Sequence, residues 1–343
     1  MKRTSVALLV GLLGSGLVAS PAGAASVWSA PLASQTTAVE AATFWLGDGG
    51  ANLKNATPYS VQTAVDDVSP RGDVPADGKP GSVPPIAPAT PGEANATSGK
   101  VFFVGADGLP HWCTGTAVQS QYRNLVATAA HCVYDTQRSD ATLGKWVFVP
   151  GYSDGTAPRG LYVGKQAFTH YDFPAYGDYD RDYAFVNVYS GLVSSASGEL
   201  SNGGRLVDSV GGQGLAWNQP LGSSVEVLGY PAGSHPDGKQ FYTGDSLESS
   251  KGDTTAAMAP SVKAEELAAV GSPFTGEGAL GSSWLLHYDK SSRTGLLNGI
   301  TAGVSDTDGN LRYDTSLSPY FDGELSEVYR AAATMWSGTV LPA

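Results

Sequence analysis

From Val101 onward, short apolar runs alternate with turn residues. Val101–Val104, Leu125–Thr128, Trp146–Val149, Tyr183–Val188, Val225–Leu228 and Trp284–Leu286 are separated by pairs such as Pro150-Gly151, Asp154-Gly155, Asp237-Gly238 and Asp308-Gly309. Many short strands at this spacing predict an all-β antiparallel sandwich or barrel. One stretch departs from the pattern. Leu325, Val328, Tyr329, Ala332 and Met335/Trp336 recur at helical spacing and predict a C-terminal amphipathic helix.

Upstream of Gly99 the pattern is different. Lys2 and Arg3 precede the apolar run Val6–Val18, and Ala22-Gly-Ala24 supplies small residues for cleavage, so residues 1–24 read as a secretory signal peptide. That run is too short to span a bilayer. Residues 25–98 read as a pro-segment and Pro-rich linker. Their first part is small and polar with aromatic points at Trp28, Phe44 and Trp45, and seven prolines fall between Pro70 and Pro91. The composition of residues 69–100 predicts an extended chain that buries no core, with ordered sequence beginning near Gly99.

Composition narrows the class. Apolar residues make up 41 % of 343 residues and charged residues 15 %, with a net charge of −12. This excludes a disordered chain, a coiled coil and a basic nucleic-acid binder. Two cysteines allow one disulfide at most, in keeping with an exported, extracellular protein. His111, His170, His235 and His287 lack ligand spacing, so no metal or cofactor is expected.

The chemistry is concentrated in three places. Cys113-Thr-Gly115 precedes Thr128-Ala-Ala-His131-Cys132. Asp178-Tyr-Asp180-Arg-Asp182 precedes an apolar strand. Phe274-Thr-Gly-Glu-Gly278-Ala-Leu280-Gly281-Ser282-Ser283-Trp-Leu285 is the third. The first resembles the histidine motif of chymotrypsin-fold (trypsin-like) serine endopeptidases, in the secreted bacterial branch. Phe148–Tyr152, Leu228–Pro231 and Ser318–Phe321 extend the resemblance over residues 99–336.

The resemblance implies a double antiparallel β-barrel, about residues 99–195 and 205–343, ending in an α-helix. It also implies polypeptide substrates or ligands, with neither nucleic acid nor membrane as partner. Within it, Cys113 and Cys132 form a disulfide that pins the loop of His131. Asp182 is the carboxylate that orients the imidazole, while Asp178 and Asp180 are left as a solvated loop. An EF-hand is excluded because Tyr183 and Tyr189 stand where Gly and Glu are required.

The third motif departs from the family. Anchored on Trp284-Leu285, it puts Leu280 in the slot of the nucleophilic serine, with Ser282 and Ser283 replacing the Gly and Pro that follow. Leucine has no hydroxyl. Sliding the nucleophile to Ser283 or Ser282 displaces it by roughly 6–10 Å along an extended chain. The backbone N–H groups of Gly278 and Leu280 remain placed as an oxyanion hole. Phe274 stands where selection of basic residues needs a carboxylate. The expectation is therefore a pseudopeptidase that keeps its cleft. The alternative is an active endopeptidase using Ser283 or Ser282 with His131 and Asp182, and the blandest is an inert barrel.

Overall fold

The computed structural model describes residues 26–342 except 62, 91–95, 137–141, 196, 235–240 and 275. Residues 1–24, expected to be a signal peptide, the Asp237-Gly238 pair and His235 lie outside the described residues. Six strands close the N-terminal barrel in the order Tyr162–His170, Ala184–Val188, Leu125–Thr128, Pro110–Val118, Ser98–Val104, Gly144–Pro150. Antiparallel pairing of Val147 with Val163 and Phe148 with Tyr162 completes the ring. Leu125–Thr128 and Ala184–Val188 are buried throughout, because one face lines the barrel and the other is covered.

The C-terminal half is a half-barrel of two sheets. One orders Glu248–Asp253, Ser224–Gly229, Ser283–Asp289, Thr294–Ile300 and Gly214–Trp217; the other orders Gly303–Ser305, Thr315–Pro319, Ala264–Gly271 and Thr255–Ala259. The chain ends in the helix Gly323–Ala333, capped by Asp322 accepting from Leu325 N. Its Leu325, Val328, Tyr329 and Ala332 are buried, as the periodicity predicts, but the helix stops at Ala333, short of Met335 and the exposed Trp336 that the same periodicity included. A closed barrel, a half-barrel and a short C-terminal helix make up the chymotrypsin-type architecture.

The N-terminal segment is not a detached linker. Val27–Pro31 adds an antiparallel edge strand beside Tyr162–His170. Ser69–Pro70 pairs with Ala257 and Met258, and Gly81–Val83 pairs with Leu215–Trp217. Each of the three large sheets thus receives an edge strand from this segment, and an edge is where a sheet tolerates proline. Gln35–Asn55 is helical except at Gly47–Gly50, where the chain turns. A capping box at Ser34 and Thr37 starts it, and Ala38, Ala41, Ala42, Trp45 and Leu53 pack onto the outside of the barrel. The Trp45 indole donates to Lys145 O at 2.6 Å. Small residues suit this surface because they let a helix approach closely, while one tryptophan supplies the apolar area.

Candidate active site

His131 sits on the 3₁₀ turn Ala130–Cys132 that ends the buried strand Leu125–Thr128. Cys113 and Cys132 form a disulfide that ties this turn to the neighbouring strand. The Trp146 indole donates to Cys132 O at 3.0 Å from the opposite side. The imidazole is 1 % exposed.

Asp182 meets it from the turn Tyr179–Arg181. One carboxylate oxygen accepts the His131 backbone N–H at 3.0 Å, and the other hydrogen-bonds Nδ1. Two bonds from one carboxylate fix both the backbone and the ring. The second bond requires a proton on Nδ1, which turns the Nε2 lone pair outward as a base needs. Nε2 itself is buried and has no hydrogen-bond partner among the described residues.

The turn carrying Asp182 is held from both halves. Asp178 accepts from Asp180 N at 2.9 Å. Asp180 accepts the N–H groups of Glu265 and Glu266 at 2.8 and 2.7 Å, from a strand of the C-terminal half. Burial pushes the Asp180 carboxyl up to about 6 despite these two donors. Asp180 is therefore not a solvated loop residue: it cross-links the halves beside the dyad. Arg181 adds ion pairs to Glu324 at 2.6 Å and Asp322 at 3.6 Å.

Opposite lies the loop Gly276–Ser283. Gly278 has φ +74° and Gly281 φ +83°. A Cβ on Gly278 would lie 2.0 Å from the Trp112 ring, and one on Gly281 2.0 Å from Thr114 O, so both positions demand glycine. Thr114 organises the loop: its N–H donates to Leu280 O at 2.8 Å and its hydroxyl to Gly278 O at 3.0 Å. Since Thr114 follows Cys113, the backbone at Leu280 is one hydrogen bond and one disulfide from the His131 turn. The N–H groups of Gly278 and Leu280 have no backbone acceptor among the described residues.

Leu280 is fully buried. The Ser282 hydroxyl donates to Ala279 O at 2.5 Å and lies on the side of Gly229. Ser283 opens a strand, opposite Leu228 and Ile300, and its buried hydroxyl has no partner among the described residues. Neither hydroxyl bonds His131 Nε2. Phe274 is buried against Tyr242, with ring centroids 6.2 Å apart.

Two tyrosines that motif reasoning missed stack on the imidazole. Tyr59 lies 6.4 Å from it at 28° and Tyr179 6.0 Å at 21°, centroid to centroid. Burial pushes the Tyr59 phenol up to about 12, with the charges of Asp135 and Asp107 adding to it, and burial raises Tyr179 as well. Away from the site, Asp306, Asp308 and Asp314 bring carboxylates within 4.8 Å of one another. These carboxylates already accept N–H groups of their own loop.

This architecture is the fold of the bacterial chymotrypsin-like serine proteases. Protease Anisep from Arthrobacter nicotinovorans superposes with a TM-score of 0.58 at 25 % identity, over 73 % of this chain and 100 % of that one. The thermostable serine protease AL20 from an extremophilic microorganism gives 0.56 at 24 % identity, over 71 % and 99 %. A Glu endopeptidase in complex with MPD gives 0.50 at 20 % identity, over 76 % and 100 %. No protein-family model and no curated protein sequence matches the chain.

Proposed function

We propose that the chain is an exported pseudopeptidase: a trypsin-like protease fold that keeps the base, its orienting carboxylate and a peptide cleft, but has Leu280 where the nucleophile belongs. One observation carries the reading. The only acceptor left on a buried, doubly oriented imidazole is Nε2, and neither Ser282 nor Ser283 reaches it. An unpartnered buried polar atom costs about 1–3 kcal/mol and persists where a site needs it.

In this reading His131 and Asp182 are a general base and its orienting partner with no hydroxyl to deprotonate. The N–H groups of Gly278 and Leu280 provide two donors for a carbonyl oxygen, and they belong to the backbone whatever the side chain at 280. Extended polypeptide is bound and not turned over. Loss of the nucleophile leaves roughly 10³–10⁴-fold acceleration over water from the remaining parts.

A fluorophosphonate probe with peptide mapping tests this. With Tyr59→Ala in both chains to uncover the imidazole on which Tyr59 stacks, the chain with Leu280 is expected to remain unlabelled and Leu280→Ser to be labelled at residue 280. Labelling of native Ser283 or Ser282 would establish the active-endopeptidase reading instead.

A further inference from the structure

Two short pieces of this chain, Thr57–Tyr59 and Thr63–Val65, already lie beside His131. Thr57 and Pro58 pair with His111 and Trp112, and Tyr59 N donates to Trp112 O at 2.9 Å. The Thr57 hydroxyl hydrogen-bonds His111 Nδ1 at 2.9 Å. Six residues on, Val304 N donates to Thr63 O at 3.0 Å and Val65 N to Val304 O at 2.9 Å. The segment is thus tied by main-chain bonds both to the barrel and to the C-terminal half.

Its side chains alternate on either side of a turn at the half-buried Val61: Tyr59 is buried and Ser60 exposed before it, and Thr63 and Val65 are buried with Ala64 exposed after it. Tyr59 fills an aromatic recess, 5.0 Å from Phe103, 5.6 Å from His111 and stacked on His131. Val65 Cγ2 sits where a Cβ on Gly303 would be 3.2 Å away. Main-chain pairing with alternate side chains in recesses is the way an extended peptide is recognised at a strand edge.

We propose that Thr57–Tyr59 and Thr63–Val65 together are the resident intramolecular ligand of this cleft. It holds the cleft closed, and on release the cleft takes an extended peptide with an aromatic side chain in the recess now filled by Tyr59. This rests on the reading of the cleft as a peptide site. A tethered segment competes at an effective concentration of roughly millimolar, so an external peptide binds weakly until the tether lets go.

The probe is a fluorescein-labelled synthetic copy of residues 57–65, titrated against the full chain by anisotropy. Tyr59→Gly combined with Val65→Pro removes the ring and one main-chain donor, and is expected to bind the probe at least tenfold more tightly than the native chain. A probe copy with Ala for Tyr should lose most of that affinity. Tyr59→Ala alone, which keeps every main-chain bond, provides a readout without a ligand: carbethoxylation of His131 should run at least tenfold faster than in the native chain. Equal probe affinity and equal His131 reactivity in native and variant chains would overturn the occlusion and leave the peptide cleft standing. A reactive His131 with no probe binding in any variant would overturn the peptide-site reading itself, and this proposal with it.

Discussion

The two sides of the candidate site are built on opposite principles. On the His131 side, side chains hold the geometry: Asp182 takes two donors from one residue, and Asp180 and Arg181 brace the turn beneath it. On the Leu280 side it is the loop's backbone that is held, through the positive φ of Gly278 and Gly281 and two bonds to its carbonyls, one from the Thr114 N–H and one from the Thr114 hydroxyl. None of the latter interactions reads the side chain at 280. A hydroxyl can therefore be replaced there without loss of loop shape, while burying a leucine gains about 1.5–3 kcal/mol of apolar transfer. On the other side no such separation exists, since each polar atom is also structural.

That contrast is broken or sharpened first at Asp182. Asp182→Ala leaves the His131 backbone N–H and Nδ1 as buried donors without an acceptor. With about 1–3 kcal/mol for each, roughly 4 kcal/mol of stability should be lost in urea unfolding. Leu280→Ser, by contrast, should fold with unchanged near-UV circular dichroism and lose about 2 kcal/mol, the transfer term offset by one new hydrogen bond to Nε2. If Asp182→Ala proved the milder of the two, the distinction between a side-chain-built and a backbone-built half would fail.

The disulfide links the two sides, because Cys113 precedes the residue that organises the loop and Cys132 follows His131. Its ends are 19 residues apart, for which the chain-entropy model gives about 3 kcal/mol. Part of that estimate belongs to the denatured chain, so the double Cys→Ala variant is expected to lose 2–3 kcal/mol. In the variant, hydrogen exchange should quicken at Thr114 N and Cys132 N together. Faster exchange at only one of them would show that the sides are not coupled through the bridge.

How far the sequence foretold this molecule depends on the range of the interactions. The strands from Ser98 to Pro319 were legible because alternation and turn residues are local, and so was the C-terminal helix. His131, the cysteines and Asp182 stood out as motifs beside apolar strands, and the structure brings them together. Asp180 was misread because its neighbours in sequence are polar, whereas its partners at Glu265 and Glu266 lie on a distant strand. The N-terminal segment was misread for a related reason. Proline-rich composition reports helix and sheet propensity, but not the capacity to dock on existing edges through main-chain bonds. The spacing Tyr59, Val61, Thr63, Val65 was the available signal, a two-residue period inside a stretch set aside as polar.

The smallest expected effect concerns a charge buried behind the backbone-built side. Lys100 is 2 % exposed, with Nζ 3.6 Å from the Trp112 centroid and 4.2 Å from that of Tyr152. The same Trp112 ring packs on Gly278. No carboxylate lies within ion-pair distance of Nζ among the described residues, and burial drives the ammonium down to about 7 while the charge of Asp245 opposes this. A lysine lowered from 10.5 to about 7 makes the folded chain bind fewer protons than the unfolded one between those values. Stability therefore rises with pH across that window, and below pH 7 the penalty is constant. Above about pH 10 the raised phenols, Tyr59 among them, act in the opposite sense. Between pH 7 and 8 the gain attributable to Lys100 should be about 1 kcal/mol. It should vanish in Lys100→Met, which keeps the stem and removes the charge. If the pH dependence of the two chains were parallel, the ammonium would have to be stabilised by its aromatic neighbours to the full extent of its desolvation. The Trp112 face would then hold Gly278 through a permanent cation, and the loop side would depend on a side-chain charge after all.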